Sequence, residues 1–110
     1  MERKAEIRFI VSLDERKFPK QIEWEATEAG SPGLHPCESI MISLWDSDAK
    51  DTLGIDLWTD KMLIDDMNIH FHQTFLKMAQ TYQMATNNPE LAGMISEFAD
   101  KFAERTNIKH

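Results

Sequence analysis

The stretch Ser43–Trp58, SLWDSDAKDTLGIDLW, reads nearly the same in both directions: Leu-Trp-Asp, a polar middle, then Asp-Leu-Trp. Ile40, Ile42 and Leu44 point one way along it, and Met41, Ser43 and Trp45 the other. Beyond Ser-Asp-Ala-Lys-Asp, Leu53, Ile55 and Leu57 alternate with Gly54, Asp56 and Trp58. A side-chain period of two on both arms predicts a β-hairpin with two distinct faces. Any pairing that matches Leu44's face to Ile55's also matches Trp45's to Trp58's. A turn at Ala49-Lys50 sets Leu44 opposite Ile55 and Trp45 opposite Gly54. A shift of two residues preserves both faces, so the register stays open.

Toward the N-terminus the same period recurs. Ala5, Ile7, Phe9, Val11 and Leu13 alternate with Glu6, Arg8, Ile10 and Ser12, and Ile22, Trp24 and Ala26 alternate with Gln21, Glu23 and Glu25. Between them Asp14-Glu15-Arg16-Lys17 is a charged turn, and Pro19 bars a regular ladder there. Residues 28–37, with two Gly, two Pro and a Ser, read as a loop long enough to cross the sheet.

After Ile64 the period becomes helical. Asp65 is the expected N-cap, Asp66 lies in the first turn, and Ile64 and Ile69 hold the positions of a hydrophobic staple. Met67, Phe71, Phe75 (or Thr74), Met78, Tyr82 and Ala85 mark the first apolar stripe. Asn88-Pro89-Glu90 supplies cap, N1 proline and first-turn acid for a second helix, with Leu91, Met94, Ile95, Phe98 and Phe102 as its stripe. Thr106 to His110 are expected to fray. The elements are then strands at about 5–13, 20–27, 39–47 and 52–59, and helices at about 65–86 and 89–105. This order predicts one α+β domain over residues 1–110: a four-stranded antiparallel sheet followed by two helices packed on one face. A first helix of about 21 residues spans roughly 32 Å, which matches the roughly 30 Å of a nine-residue strand.

Composition narrows the function classes. The 110 residues carry 12 Lys/Arg against 19 Asp/Glu, a net charge of −7. Residues 1–20 hold six basic against four acidic side chains, and the other ninety hold six against fifteen. Such a surface repels phosphate backbones, so nucleic acid is not an expected partner. No apolar run approaches the roughly 20 residues of a membrane span. The N-terminal Met-Glu-Arg-Lys-Ala-Glu has no apolar core, so no signal peptide is expected. Cys37 stands alone and has no internal disulfide partner, which suits a reducing compartment, and a cytoplasmic protein is expected.

Chemistry-bearing residues are few. His70-Phe71-His72 invites a metal reading together with His35 and Cys37. Residues two apart on a helix diverge by about 200°, however, and zinc needs about four ligands. No metal or other cofactor is expected. His70 is read as partly buried beside the Phe stripe and His72 as solvated. The chain lacks a nucleophile elbow, a P-loop and a dinucleotide fingerprint, and has four glycines in all. Asp46, Asp48, Asp51 and Asp56 crowd one hairpin, but turn aspartates cap their own backbone or face water. No enzyme activity is expected.

What remains is the hairpin's second face. Met41, Trp45 and Trp58, with Ile10 from the first strand, form a candidate interface rimmed by Ser43, Asp56, Glu6 and Arg8. Alternatively, loop 28–38 folds over these residues, or the tryptophans cover each other across the hairpin.

The stretches IEWEATE (22–28), MISLWD (41–46), IDLWT (55–59), FHQTFLKMAQTY (71–82) and ATNNPELA (85–92) together resemble the GldC family of gliding-motility-associated proteins. The resemblance implies a small soluble component of the bacterial gliding machinery, neither membrane-embedded nor catalytic. It carries no catalytic or ligand residues. A layer order of four strands and two helices is also similar to that of SecB-type export chaperones, by architecture alone. Two roles are therefore in view: an adaptor that docks through Met41, Trp45 and Trp58, on itself as a homo-oligomer or on a motility protein, and a holdase chaperone for unfolded clients.

Overall fold

A computed structural model describes residues 2–28 and 30–108. The chain forms two compact units, Met1–Met62 and Leu63–His110. The first contains β1 (Ile7–Leu13), β2 (Pro19–Ala26), β3 (His35–Cys37), β4 (Ser39–Asp46) and β5 (Asp51–Trp58). The second contains α1 (Ile64–Thr86) and α2 (Pro89–Arg105). All the expected strands and helices are present, within two residues at each end.

The strands do not make one four-stranded sheet. They form a three-stranded antiparallel sheet in the order β1-β2-β3 and a separate hairpin of β4 and β5. The cause is residues 35–46, which serve both. His35-Pro36-Cys37, expected as loop, adds to the edge of β2, with Ile22 opposite Cys37 and Trp24 opposite His35. The backbone then bends at Glu38, and β4 turns to pair with β5. Pro36 faces Glu23, whose own backbone groups serve β1, so the missing proline N–H leaves no gap in the β2 ladder. The Thr59 N–H donates to the Glu38 carbonyl at 2.9 Å and extends the hairpin ladder to the bend.

Both turns are held by aspartate. Asp14 Oδ1 accepts from the Arg16 and Phe18 N–H groups, and Lys17 takes a positive φ of 68°. Asp46 Oδ1 accepts from Asp48 and Ala49, and Lys50 has φ 55°. These are self-capping turns, as short acceptor side chains favour. The turn spans residues 47–50, which moves the register two residues from the first placement. Leu44 pairs with Leu53, and Trp45 with Thr52. The faces are unaffected, because two is the strand period.

In the second unit α1 and α2 form an antiparallel hairpin across Asn87-Asn88. Asn88 caps α2 as expected: its Oδ1 accepts from the Leu91 N–H at 3.1 Å, and Pro89 opens the helix. Asp65 does not cap α1. Leu63 holds that position with no side-chain bond, and Asp65 and Asp66 sit inside the first turn, where carboxylates complement the helix dipole. Thr106, Asn107 and Ile108 are hydrogen-bonded back onto α2, which corrects the frayed end expected from Thr106. Asn107 is left-handed (φ 59°), its N–H bonds Glu104 O, and the Ile108 N–H bonds Ala103 O at 2.8 Å, a Schellman closure. The expected fraying of Lys109 and His110 lies outside the described residues.

The helices meet through small side chains. Ala79 of α1 and Ala92, Ala99 and Ala103 of α2 are buried, together with His72. Phe75 joins the two helices by edge-on ring contacts with Phe98 at 5.1 Å and Phe102 at 5.3 Å. His72, expected in solvent, is 3% exposed because it lies on this seam, one helical row away from the large apolar stripe.

Candidate interaction surface

Alternation along β4 and β5 fixes what the hairpin presents. Ser39, Met41, Ser43 and Trp45 share a face with Thr52, Gly54, Asp56 and Trp58; Ile40, Ile42 and Leu44 share the other with Leu53, Ile55 and Leu57. Met41, Trp45 and Trp58 are therefore brought to one face, as the sequence implied. Trp45 is 63% exposed and Trp58 56%. They do not cover each other. Trp45 pairs beside the turn and Trp58 opposite Ser39, six residues apart along the strands, or roughly 20 Å. The described part of segment 28–38 leaves them open as well, since residues 35–37 are spent on the edge of β2.

Met41 lies between the two tryptophans, opposite Asp56 and half-buried. Ile10 belongs to the other sheet. It pairs with Glu23 and shares the face of Arg8, which is ion-paired to Glu25 at 2.6 Å. The candidate residues thus comprise a hairpin face with Met41, Trp45 and Trp58, and a half-buried Ile10 on a charged neighbouring sheet.

One contributor was missed. Phe18, from the β1–β2 turn, is exposed and lines a cleft of about 210 Å³ with Pro19, Asp56, Leu57 and Trp58. Its signal in the sequence was an aromatic side chain directly after four charged turn residues, where burial by its own hairpin is not available. The cleft combines two aromatic walls with one carboxylate, a lining suited to an apolar or cationic side chain.

Among the described residues no group of three or more His, Cys, Asp or Glu is placed to hold a metal ion. Asp46 is engaged in capping its own turn, and Asp56 lies five residues along β5 from Asp51. Cys37 is half-buried; desolvation raises its thiol pKa, partly offset by a backbone hydrogen bond from Ser39. That favours the unreactive protonated form. Among the described residues no helix is long and apolar enough to cross a membrane.

The open apolar surface extends beyond the tryptophans. Leu44, Leu53 and Ile55 on the other hairpin face are exposed, as are Met78, Leu91, Met94 and Phe98 on the helical unit. Buried apolar residues among those described are Ile22, Ile40 and the four alanines of the helix seam. Exposed apolar side chains in such number on each unit are characteristic of contact surfaces.

The family model for gliding motility-associated GldC-like proteins matches residues 19–108. No curated protein and no solved structure matches the chain. The match spans β2 through the end of α2, and the chain belongs to the GldC-like family.

Proposed function

We propose that this member of the GldC-like family is a non-catalytic accessory protein of the bacterial gliding machinery, acting as a cytoplasmic adaptor through protein–protein contacts. The observation that carries this reading is the β4–β5 face, where two exposed tryptophans flank Met41 within a polar border. Tryptophan is the side chain most enriched among residues that dominate binding energy, and polar surroundings are typical of interface rims. The cleft beside Trp58 gives that face a pocket for an anchoring side chain. The test is photo-cross-linking in gliding cells, with p-benzoylphenylalanine replacing Trp45 or Trp58 and, as a control, exposed Lys77. A discrete adduct with a motility component from 45 and 58 but not from 77 is expected. Absence of any adduct at both hairpin positions would sink the assignment.

A second reading is a SecB-like holdase. It is favoured by apolar exposure on both hairpin faces, where Leu44, Leu53 and Ile55 are open as well as the tryptophans. A holdase suppresses aggregation of several unrelated unfolded proteins at near-stoichiometric amounts. Failure on all of them removes this reading and leaves the adaptor in place.

A further inference from the structure

The outer edge of β1 is built to receive another strand. The Thr27 N–H donates to the Glu6 carbonyl at 3.0 Å, which marks Glu6 and Thr27 as a hydrogen-bonded pair. In an antiparallel ladder such pairs alternate, so Arg8 with Glu25 and Ile10 with Glu23 are bonded in the same way. The N–H and C=O groups of Ile7, Phe9 and Val11 consequently point away from β2, and among the described residues no strand lies beyond β1 in its sheet. The side chains of the same residues, with Leu13, form one apolar face on which Ile7 is 70% exposed.

Natural sheets protect such edges with prolines, inward charges or bulges. Between Ile7 and Ser12 β1 has no proline and no charge on its apolar face, and its one irregularity falls at Ser12/Leu13, the strand's end. We infer that β1 pairs antiparallel with β1 of a second copy of this chain, about a two-fold axis at Phe9. This register joins outward-pointing residues only, setting Phe9 against Phe9 and Ile7 against Val11 of the second copy. The apolar stripe thereby becomes continuous across the junction.

Charge favours the same partner. Lys4 and Arg3, the latter ion-paired to Glu28 at 2.8 Å, lie before the strand, and Asp14 and Glu15 immediately after it. With the axis at Phe9, the segment before β1 of one copy comes to the β1–β2 turn of the other, so the end that carries Lys4 meets the end that carries Asp14 and Glu15. An axis at Ile10 would instead set Ile7 against Leu13, where the ladder is already irregular. The union joins two three-stranded sheets into one of six. It is independent of the Trp45/Trp58 assignment, because it uses a different strand.

The test is solution mass by light scattering over a dilution series of the full chain. A mass of two chains, or a multiple of it, is expected for the native protein. Ile7→Pro removes an outward N–H that β2 does not use, and is expected to move dissociation to at least about tenfold higher concentration with an unchanged circular dichroism spectrum. In a Cys37→Ser background, Phe9→Cys places two thiols on residues whose Cα atoms lie about 5.5 Å apart, within disulfide range. Mild oxidation should link them across the axis. Leu13→Cys, roughly 26 Å from its equivalent, should not link. Should Ile7→Pro fail to fold, the Phe9→Cys link decides alone. A monomer at every concentration overturns the inference, as does an oligomer in which Phe9→Cys does not link.

Discussion

Cys37 faces the β2 edge opposite Ile22, and its burial raises the thiol pKa despite the opposing backbone hydrogen bond from Ser39. Less thiolate is present near neutral pH than for a free cysteine, so alkylation should run several-fold slower in the native protein than in denaturant. Equal rates measured by iodoacetamide labelling would show that the site is open. Gly93 lies inside α2, and apart from its chain neighbours and the helix's own backbone no described heavy atom lies within 4 Å of where a Cβ would sit. Gly93→Ala should therefore raise stability by about 0.5–1 kcal/mol in urea unfolding, through the lost flexibility of the unfolded chain. A loss instead would mean that a partner approaches α2 closely there. At this scale the sequence misleads chiefly at His72. The apolar stripes are legible because Phe, Met and Leu dominate the hydrophobic pattern, but the helices close on alanines. The seam therefore runs one row aside from where the large residues draw the eye, and buries the histidine.

Elements were legible where the local chemistry is self-sufficient. Asn88-Pro89-Glu90 codes a helix start within three residues, and the Asn88 cap forms as read. Asn88→Ala should cost about 1 kcal/mol of stability by urea unfolding, whereas Asp65→Ala, which removes no cap bond, should cost less. Equal losses would contradict the observed capping. The hairpin's two faces followed from parity alone, while its register depended on a turn in which Asp46 chelates two backbone N–H groups, a geometry no period reveals. β3 was hidden for a different reason. Three residues centred on a proline carry no strand pattern, and they pair only because β2 presents an open edge. Division of the strands into two sheets follows from the bend at Glu38, which likewise leaves no periodic trace.

At the scale of the whole molecule, open apolar surface is the dominant feature. The largest fully buried side chains are Ile22 and Thr59, while Leu, Phe, Met and Trp side chains remain exposed in both units. A free monomer rarely keeps so much apolar surface open without a use for it, and contacts with other chains supply that use. Family membership names the process, gliding motility, and the tryptophan-bearing hairpin is the surface we assign to it. The direct test is gliding speed in a strain lacking the gene and supplied with the Trp45→Ser/Trp58→Ser variant at native abundance. Loss of gliding with a native circular dichroism spectrum is the expected result, since both side chains are exposed and their removal leaves the buried set untouched. Full gliding by the folded double variant would contradict the assignment.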